Sequence, residues 1–518
     1  MLRLEKLKEQ LFFYGCIAII LDNIPKLLQL NILSSGFANK GAWYFFVAFL
    51  LLCVYQKINE KVVLVPVDKA LMKYIGILMC AALISNIWGI IQYPYYDILL
   101  SGPLGQVEKM PLVMSFIEKY HMDYSYQDIL CIWIGVRAIK GTLLGILFTF
   151  GISFAIYWTI KNYWRKYYSL LKKAILISII IITSYSLVEA AYLAGNSFAT
   201  NVLSIINPFL HPIAVDHNWW PPLLWKGQLR SVFSEPSRMG NYAAFVLPFL
   251  WSSLLKDKNV WQEKYIIVLT TLFTFFIFLT QARTPIGIYW GMLTLFIGSS
   301  FFLRKRIFFK GVVIVICVTA ISFVASLGFI NYFMITASDK ENISASEFIE
   351  DNVGSLTSSS KRSNGARYAL IRSNLKTGME HPVFGVGNVL TSAYTVNNFS
   401  KSDLNNEEVS MWVKNFQKQG ALRYSLDSMN EYISLFADYG SVGLIIFLVP
   451  ALYALFGLFR RIRLAQGDEL IKIYTILLSL IGSLVAGCNG SLTLLYTYWV
   501  VLAFAYAILF EGEKSISR

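Results

Sequence analysis

The chain has 518 residues, of which 56% are hydrophobic and 15% charged, and its mean hydropathy is +0.55. Soluble proteins keep about a quarter of their residues charged, so this composition excludes one and indicates an all-α polytopic membrane protein. The formal net charge of +14 points to a nucleic-acid partner only until the charges are located, because positive loops on one membrane face give the same excess.

A span needs roughly 20 mostly apolar residues. Twelve segments answer to that description, at 11–33, 41–55, 70–91, 129–160, 174–193, 239–255, 265–280, 286–303, 311–334, 439–459, 473–486 and 492–510. The first contains Asp22, Pro25 and Lys26 and has no small-residue cleavage site, so it reads as a retained, broken helix and not as a signal peptide. With both termini cytoplasmic, the inside segments hold 24 basic and 10 acidic residues, and the outside segments 17 of each. The positive excess is then wholly cytoplasmic, as expected for a multi-pass protein of the cytoplasmic (inner) membrane, and no nucleic acid is needed to explain it.

Chain order leaves three long outer segments, 94–128, 195–238 and 335–438. The last is too polar and short to fold alone, so it is expected to cap a single transmembrane domain spanning 1–518. The six cysteines lie in or at the ends of spans without a CxxC pair, which makes them apolar fillers. His121, His211, His217 and His381 show no metal-ligand spacing, and neither a metal nor a cofactor is expected. The two halves do not correspond, which weakens a transporter reading built on Arg137, Lys140 and Glu189.

Four outer segments carry candidate chemistry. HNWWPPLLW (217–225) offers Trp219 and Trp220, which suit either sugar stacking or interfacial anchoring, and LRSVFSEPSRMG (229–240) offers Arg230, Glu235 and Arg238. In QARTP (281–285) a tight outer turn exposes Arg283 beside a helix start, where Thr284 can cap and Pro285 suits the first turn. A guanidinium there is equally suited to fork a phosphate or to snorkel to lipid headgroups. Next comes a helix opened by Arg367 and Arg372, which runs into HPVFGVGN (381–388) with His381 and two glycines. Finally Asp427, Asn430, Glu431 and Asp438 cluster where the chain re-enters the membrane, and polar groups at that depth are functional candidates.

The order and spacing of these motifs resemble the O-antigen polymerase and O-antigen ligase superfamily, the Wzy-type and related glycosyltransferases, best over the second half of the chain. The carriers are RSVFSEPSRMG, QARTPIG, the arginine-led helix ending in HPVFGVGN, and Asn430 followed by nine residues and then Gly440 and Gly443. The ligase branch usually has a histidine before that asparagine; here it is Met429, which favours the polymerases. The resemblance implies a GT-C-type transferase acting on undecaprenyl-diphosphate-linked oligosaccharide at the outer face, among membrane lipid, with a chain-length regulator and a flippase as further partners. Arg283, Arg230 and Arg367 would converge on the diphosphate, and Asp427, Glu235 and Glu431, in falling order, would serve as acceptor base. His381 is a fourth candidate, and Arg238, Arg372, Asn430, Trp219 and Trp220 would contact substrate. Alternatives are a sibling transferase with another acceptor and a flippase or transporter.

Overall fold

A computed structural model of the protein describes residues 2–30, 35–59, 64–213, 221–255, 260–303, 306–334, 343–352, 354, 362–426 and 429–511. Among the described residues every regular element is a helix. The principal ones begin with α1 (Leu2–Ala18), α2 (Gly41–Asn59), α3 (Pro66–Ile91), α4 (Tyr126–Ile160), α5 (Trp164–Leu193), α6 (Ser197–Leu210) and α7 (Pro236–Ser253). They continue with α8 (Val260–Leu279), α9 (Arg283–Leu303), α10 (Phe308–Met334), α11 (Arg362–Glu380), α12 (Glu407–Gln419), α13 (Glu431–Leu464), α14 (Gly467–Gly487) and α15 (Tyr496–Leu509).

Eight of these are long and apolar enough to cross a membrane: α2, α3, α4, α5, α9, α10, α13 and the helix carrying α14. They cover eight of the twelve expected segments. The other four segments hold helices too, α1, α7, α8 and α15, which do not meet that measure among the described residues. Helix α15 has 14 residues, a length of about 21 Å at the α-helical rise. It is apolar on all sides and buried on nearly all of them, the pattern of a central core helix.

The first expected segment differs most. It is broken, as Asp22 and Pro25 led one to expect, and its helix stops already at Ala18, with the next residues bound into a loop. The Asp22 carboxylate accepts from the Ser234 amide at 2.9 Å and its hydroxyl at 2.6 Å, and Lys40 Nζ donates to the Asp22 carbonyl at 2.6 Å. Pro25 follows and cannot supply a helical N–H.

Lipid tails give helices no solvent-driven reason to associate, so contact depends on close packing. Helix α7, buried along nearly its whole length, sits between α9 and α14. Gly240 faces Pro285 so closely that a Cβ would lie 2.7 Å from the proline Cα. The ion pairs Lys161–Asp68 at 2.6 Å, Arg165–Glu469 at 3.0 Å, Lys310–Glu263 at 3.0 Å and Lys166–Glu9 tie together segments that the charge pattern assigns to the inside. At the other end Arg423–Glu108, at 3.3 Å, joins two of the long outer segments. The same two segments share an apolar cluster that includes Tyr93, Leu99, Val107, Leu390, Tyr394 and Phe416. Arg137 of α4 donates to the Leu422 carbonyl above it.

Candidate active site

The turn between α8 and α9 is strained where the first arginine sits. Gln281 has a φ of 45°, a left-handed conformation that a non-glycine residue holds only when its surroundings fix it. They do: the Gln281 carbonyl accepts from Gln228 Nε2 at 3.0 Å, and its own Nε2 donates to the Gly227 carbonyl at 3.2 Å. Helix α9 starts at Arg283, two residues earlier than a Thr284 cap requires. The Thr284 hydroxyl turns away and donates to Asn489 Oδ1 at 3.3 Å. Arg283 is partly buried, and its Nη1 is buried without a hydrogen-bond partner.

Arg367, on the first turns of α11, reaches the same place from the outer cap. Its Nη1 donates to Asn489 Oδ1, the atom that also receives Thr284. Arg367 is close enough to act on Arg283 electrostatically, with Tyr368 and Asp351 in the same neighbourhood. Arg367 is thus held by a neutral amide, close enough to Arg283, beside the N-terminus of α9, for the two charges to act on one another. Like charges brought near one another form a receptor for an anion, which the helix terminus favours and the nearby Asp351 only partly offsets. Asn489 was not legible as a site residue. Its only signal is an Asn-Gly turn joining two apolar segments on the outer side.

Arg230 does not join this pair. It is 1% exposed, its Nη2 donates to the Leu223 carbonyl at 3.2 Å and its Nη1 lies 3.5 Å from the Ser234 carbonyl. Its guanidinium stacks over Trp225, 6.0 Å from the ring centroid. Glu189 accepts from the amides of Arg230 at 3.2 Å and Ser231 at 2.6 Å, so it holds a second strained turn, at Ser231 with a φ of 57°. Nearby, burial and the Arg230 charge, only partly opposed by Asp22, push the His211 imidazole down to about 4.

The other candidates are bound into local structure. Arg238 pairs with Glu235 at 3.1 Å across the first turn of α7 and lines a cleft shared with Asp22, Lys40, Tyr242 and Leu495. Arg372 pairs with Asp403. Burial pushes the Asp403 carboxyl up, but bonds from Ser400 and Arg372 outweigh it and leave it below its ordinary value. Asn430 caps α13 by accepting from the amides of Tyr432 and Ile433 at 3.1 and 3.2 Å. Glu431, 4% exposed, accepts from the Thr493 amide at 3.3 Å and from its hydroxyl. His381 packs edge-on against Tyr394 at 5.4 Å. Met429 packs against the apolar cluster that includes Leu370, Phe399 and Trp412. Asp427, Trp219, Trp220 and His217 lie outside the described residues. Among the described residues no three His, Cys, Asp or Glu side chains are grouped to hold a metal ion.

The glycines after His381 serve a backbone lock. The Val386 and Gly387 amides donate to the carbonyls of Ala437 and Asp438 at 3.0 and 2.8 Å, and Ser441 donates back to the Pro382 carbonyl at 2.8 Å. These bonds are available because α13 breaks at Gly440, whose φ is 65° and where a Cβ would lie 2.3 Å from the Val383 carbonyl oxygen. Asn86 of α3 accepts from the Asn388 amide at 3.1 Å, so three chain segments close on one point.

Residues 266–448 match the family model described as O-antigen ligase. The match runs from α8 through α9, α10 and the cap helices into α13, and so contains Arg283, Arg367 and the backbone lock, but not Asn489. No curated protein matches the chain. The resemblance to the O-antigen polymerase and ligase superfamily therefore stands for this region, in a multi-pass membrane protein of the transferase type.

Proposed function

We propose that the protein is a polysaccharide repeat-unit polymerase, a GT-C-type glycosyltransferase at the outer face of the cytoplasmic membrane. It transfers a growing glycan from undecaprenyl diphosphate onto a second lipid-linked repeat unit. The observation that carries this is the approach of Arg367, held by Asn489, to Arg283, which has a buried guanidinium nitrogen without a hydrogen-bond partner among the described residues.

In the reaction the bond between the anomeric carbon and the diphosphate oxygen breaks, and a bond to the acceptor hydroxyl oxygen forms. The diphosphate leaves as an anion, and charge developing on it is stabilised by donors already in place. Arg283 and Arg367 supply them from two segments. The hydroxyl proton passes to a carboxylate on the opposite face, for which Asp427 is the first choice. Glu235 and Glu431 rank lower because Arg238 and Thr493 already engage them. Since the arginines carry the charge work, activity should persist in the presence of a chelator.

Transfer to a different acceptor, as in the ligases, is the second reading, and Met429 argues against it. A thioether packed among Leu370, Phe399 and Trp412 cannot take a hydroxyl proton where the ligases usually have histidine. A transporter reading loses ground too, because Arg137 and Glu189 are held by backbone groups.

The test is purified protein given one undecaprenyl-diphosphate repeat unit and no other acceptor. A ladder of chain lengths is expected, and Asp427→Asn should suppress it without unfolding the protein. Product formed only after a foreign acceptor is added would establish the ligase reading instead.

A further inference from the structure

The loop between α14 and α15, residues 488–495, lies beyond the region matched by the family model, yet it bonds to Arg367 and to Thr284, the residue next to Arg283. At one end Asn489 Oδ1 receives both Arg367 Nη1 and the Thr284 hydroxyl, so cap helix and α9 meet on a single atom. At the other end Thr493 is held twice by Glu431, and its carbonyl accepts from Trp499 Nε1 at 2.9 Å. The residue after Glu431 grips the same connection from below: the Tyr432 hydroxyl donates to the Leu484 carbonyl at 2.6 Å. The first turn of α13 therefore holds the chain on both sides of Asn489, at Leu484 in the last turn of α14 and at Thr493 in the loop.

We propose that this loop sets the arginine pair: Asn489 is a positioning residue that holds Arg367 beside Arg283, and Glu431 is the buried anchor that holds Asn489 in place. The inference rests on the anion-binding reading of the two arginines. Two guanidiniums repel one another, and with no ligand bound they would separate toward water or headgroups. A carboxylate at the meeting point would hold them, but it would also neutralise them and compete with the incoming diphosphate. A neutral amide fixes the direction of Arg367 and leaves its charge for substrate. The carboxylate of the device, Glu431, is set back at Thr493.

This arrangement makes a prediction opposite to that of a merely structural asparagine. Asn489→Asp is isosteric and keeps an oxygen for Arg367 and Thr284, so a structural role tolerates it better than Asn489→Ala. A positioning role at an anion site tolerates it worse, because the new charge occupies the receptor. Undecaprenyl diphosphate titrated into the purified full-length protein in detergent reads this directly, alongside thermal melting. Asn489→Asp should weaken binding at least about tenfold at an unchanged melting temperature, and Asn489→Ala should weaken it less. Glu431→Ala, which removes the acceptor for Thr493, should bind more weakly than Glu431→Gln, which keeps one. Arg283→Ala separates the two levels of the argument. If it abolishes binding while Asn489→Asp binds normally, the positioning role is overturned and the anion site stands. If Arg283→Ala also binds normally, the anion site and the function built on it both fail.

Discussion

Four arginines that look alike in the sequence have different fates in the structure, and the difference is what their guanidiniums are bonded to. Arg283 keeps a buried nitrogen unpaired, Arg367 rests on a neutral amide, Arg230 is enclosed by backbone carbonyls and Trp225, and Arg372 is paired with Asp403. Arg283→Lys keeps the charge but loses the planar fork, so polymer formation should fall by about 10- to 100-fold at unchanged melting temperature. Arg230→Ala should do the reverse and destabilise the protein by about 3 kcal/mol, because it strips the Leu223 and Ser234 carbonyls of a buried donor and removes the charge that faces Glu189. His211 gives a pH signature. With its folded-state pKa pushed down to about 4, an unfolded chain binds a proton that the folded one refuses between pH 6.5 and 4. Stability therefore falls as pH drops through that window, by about 3 kcal/mol in total. Melting temperatures measured from pH 7 to 4 should fall less steeply in His211→Gln than in the unaltered protein.

At the scale of elements, the break in α13 is the feature on which the cap depends. Its positive φ and the 2.3 Å approach to the Val383 carbonyl oxygen leave no room for a side chain at Gly440. Gly440→Ala should cost about 3 kcal/mol or more in strain and contact. If the lock serves mainly to seat α11, the same variant will lose ladder formation at temperatures where the bundle is still folded. Circular dichroism and activity measured on one preparation would show the two losses separating. Glycine spacing made the HPVFGVGN segment visible in the sequence. That its partner is the helix break, and not a ligand, follows only from the backbone bonds between 382–387 and 437–441.

Across the whole molecule, ion pairs sort the connecting segments into two groups that match the sides given by charge counting. Single cysteines at Ser402, on the exposed surface of the cap, and at Arg463, at the exposed end of α13, should label oppositely with an impermeant thiol reagent in a cysteine-free background. Labelling of both from one side would overturn the proposed orientation.

The sequence by itself determined the membrane class and the position of most helices, because a bilayer imposes long apolar runs that no other environment requires. It also exposed Arg283 and Arg367, since charges in tight outer turns and at the head of a cap helix stand out against apolar surroundings. The tertiary structure alone decided which arginines meet. Convergence depends on packing between segments far apart in the chain, and hydropathy holds no record of such contacts. Asn489 was invisible for that reason: its role comes from lying between α9, α11 and the clamp at α13. The break in the first expected span was legible from Asp22, Pro25 and Lys26, but the partner that binds the loop was not, because Asp22 finds Ser234 only in the folded protein.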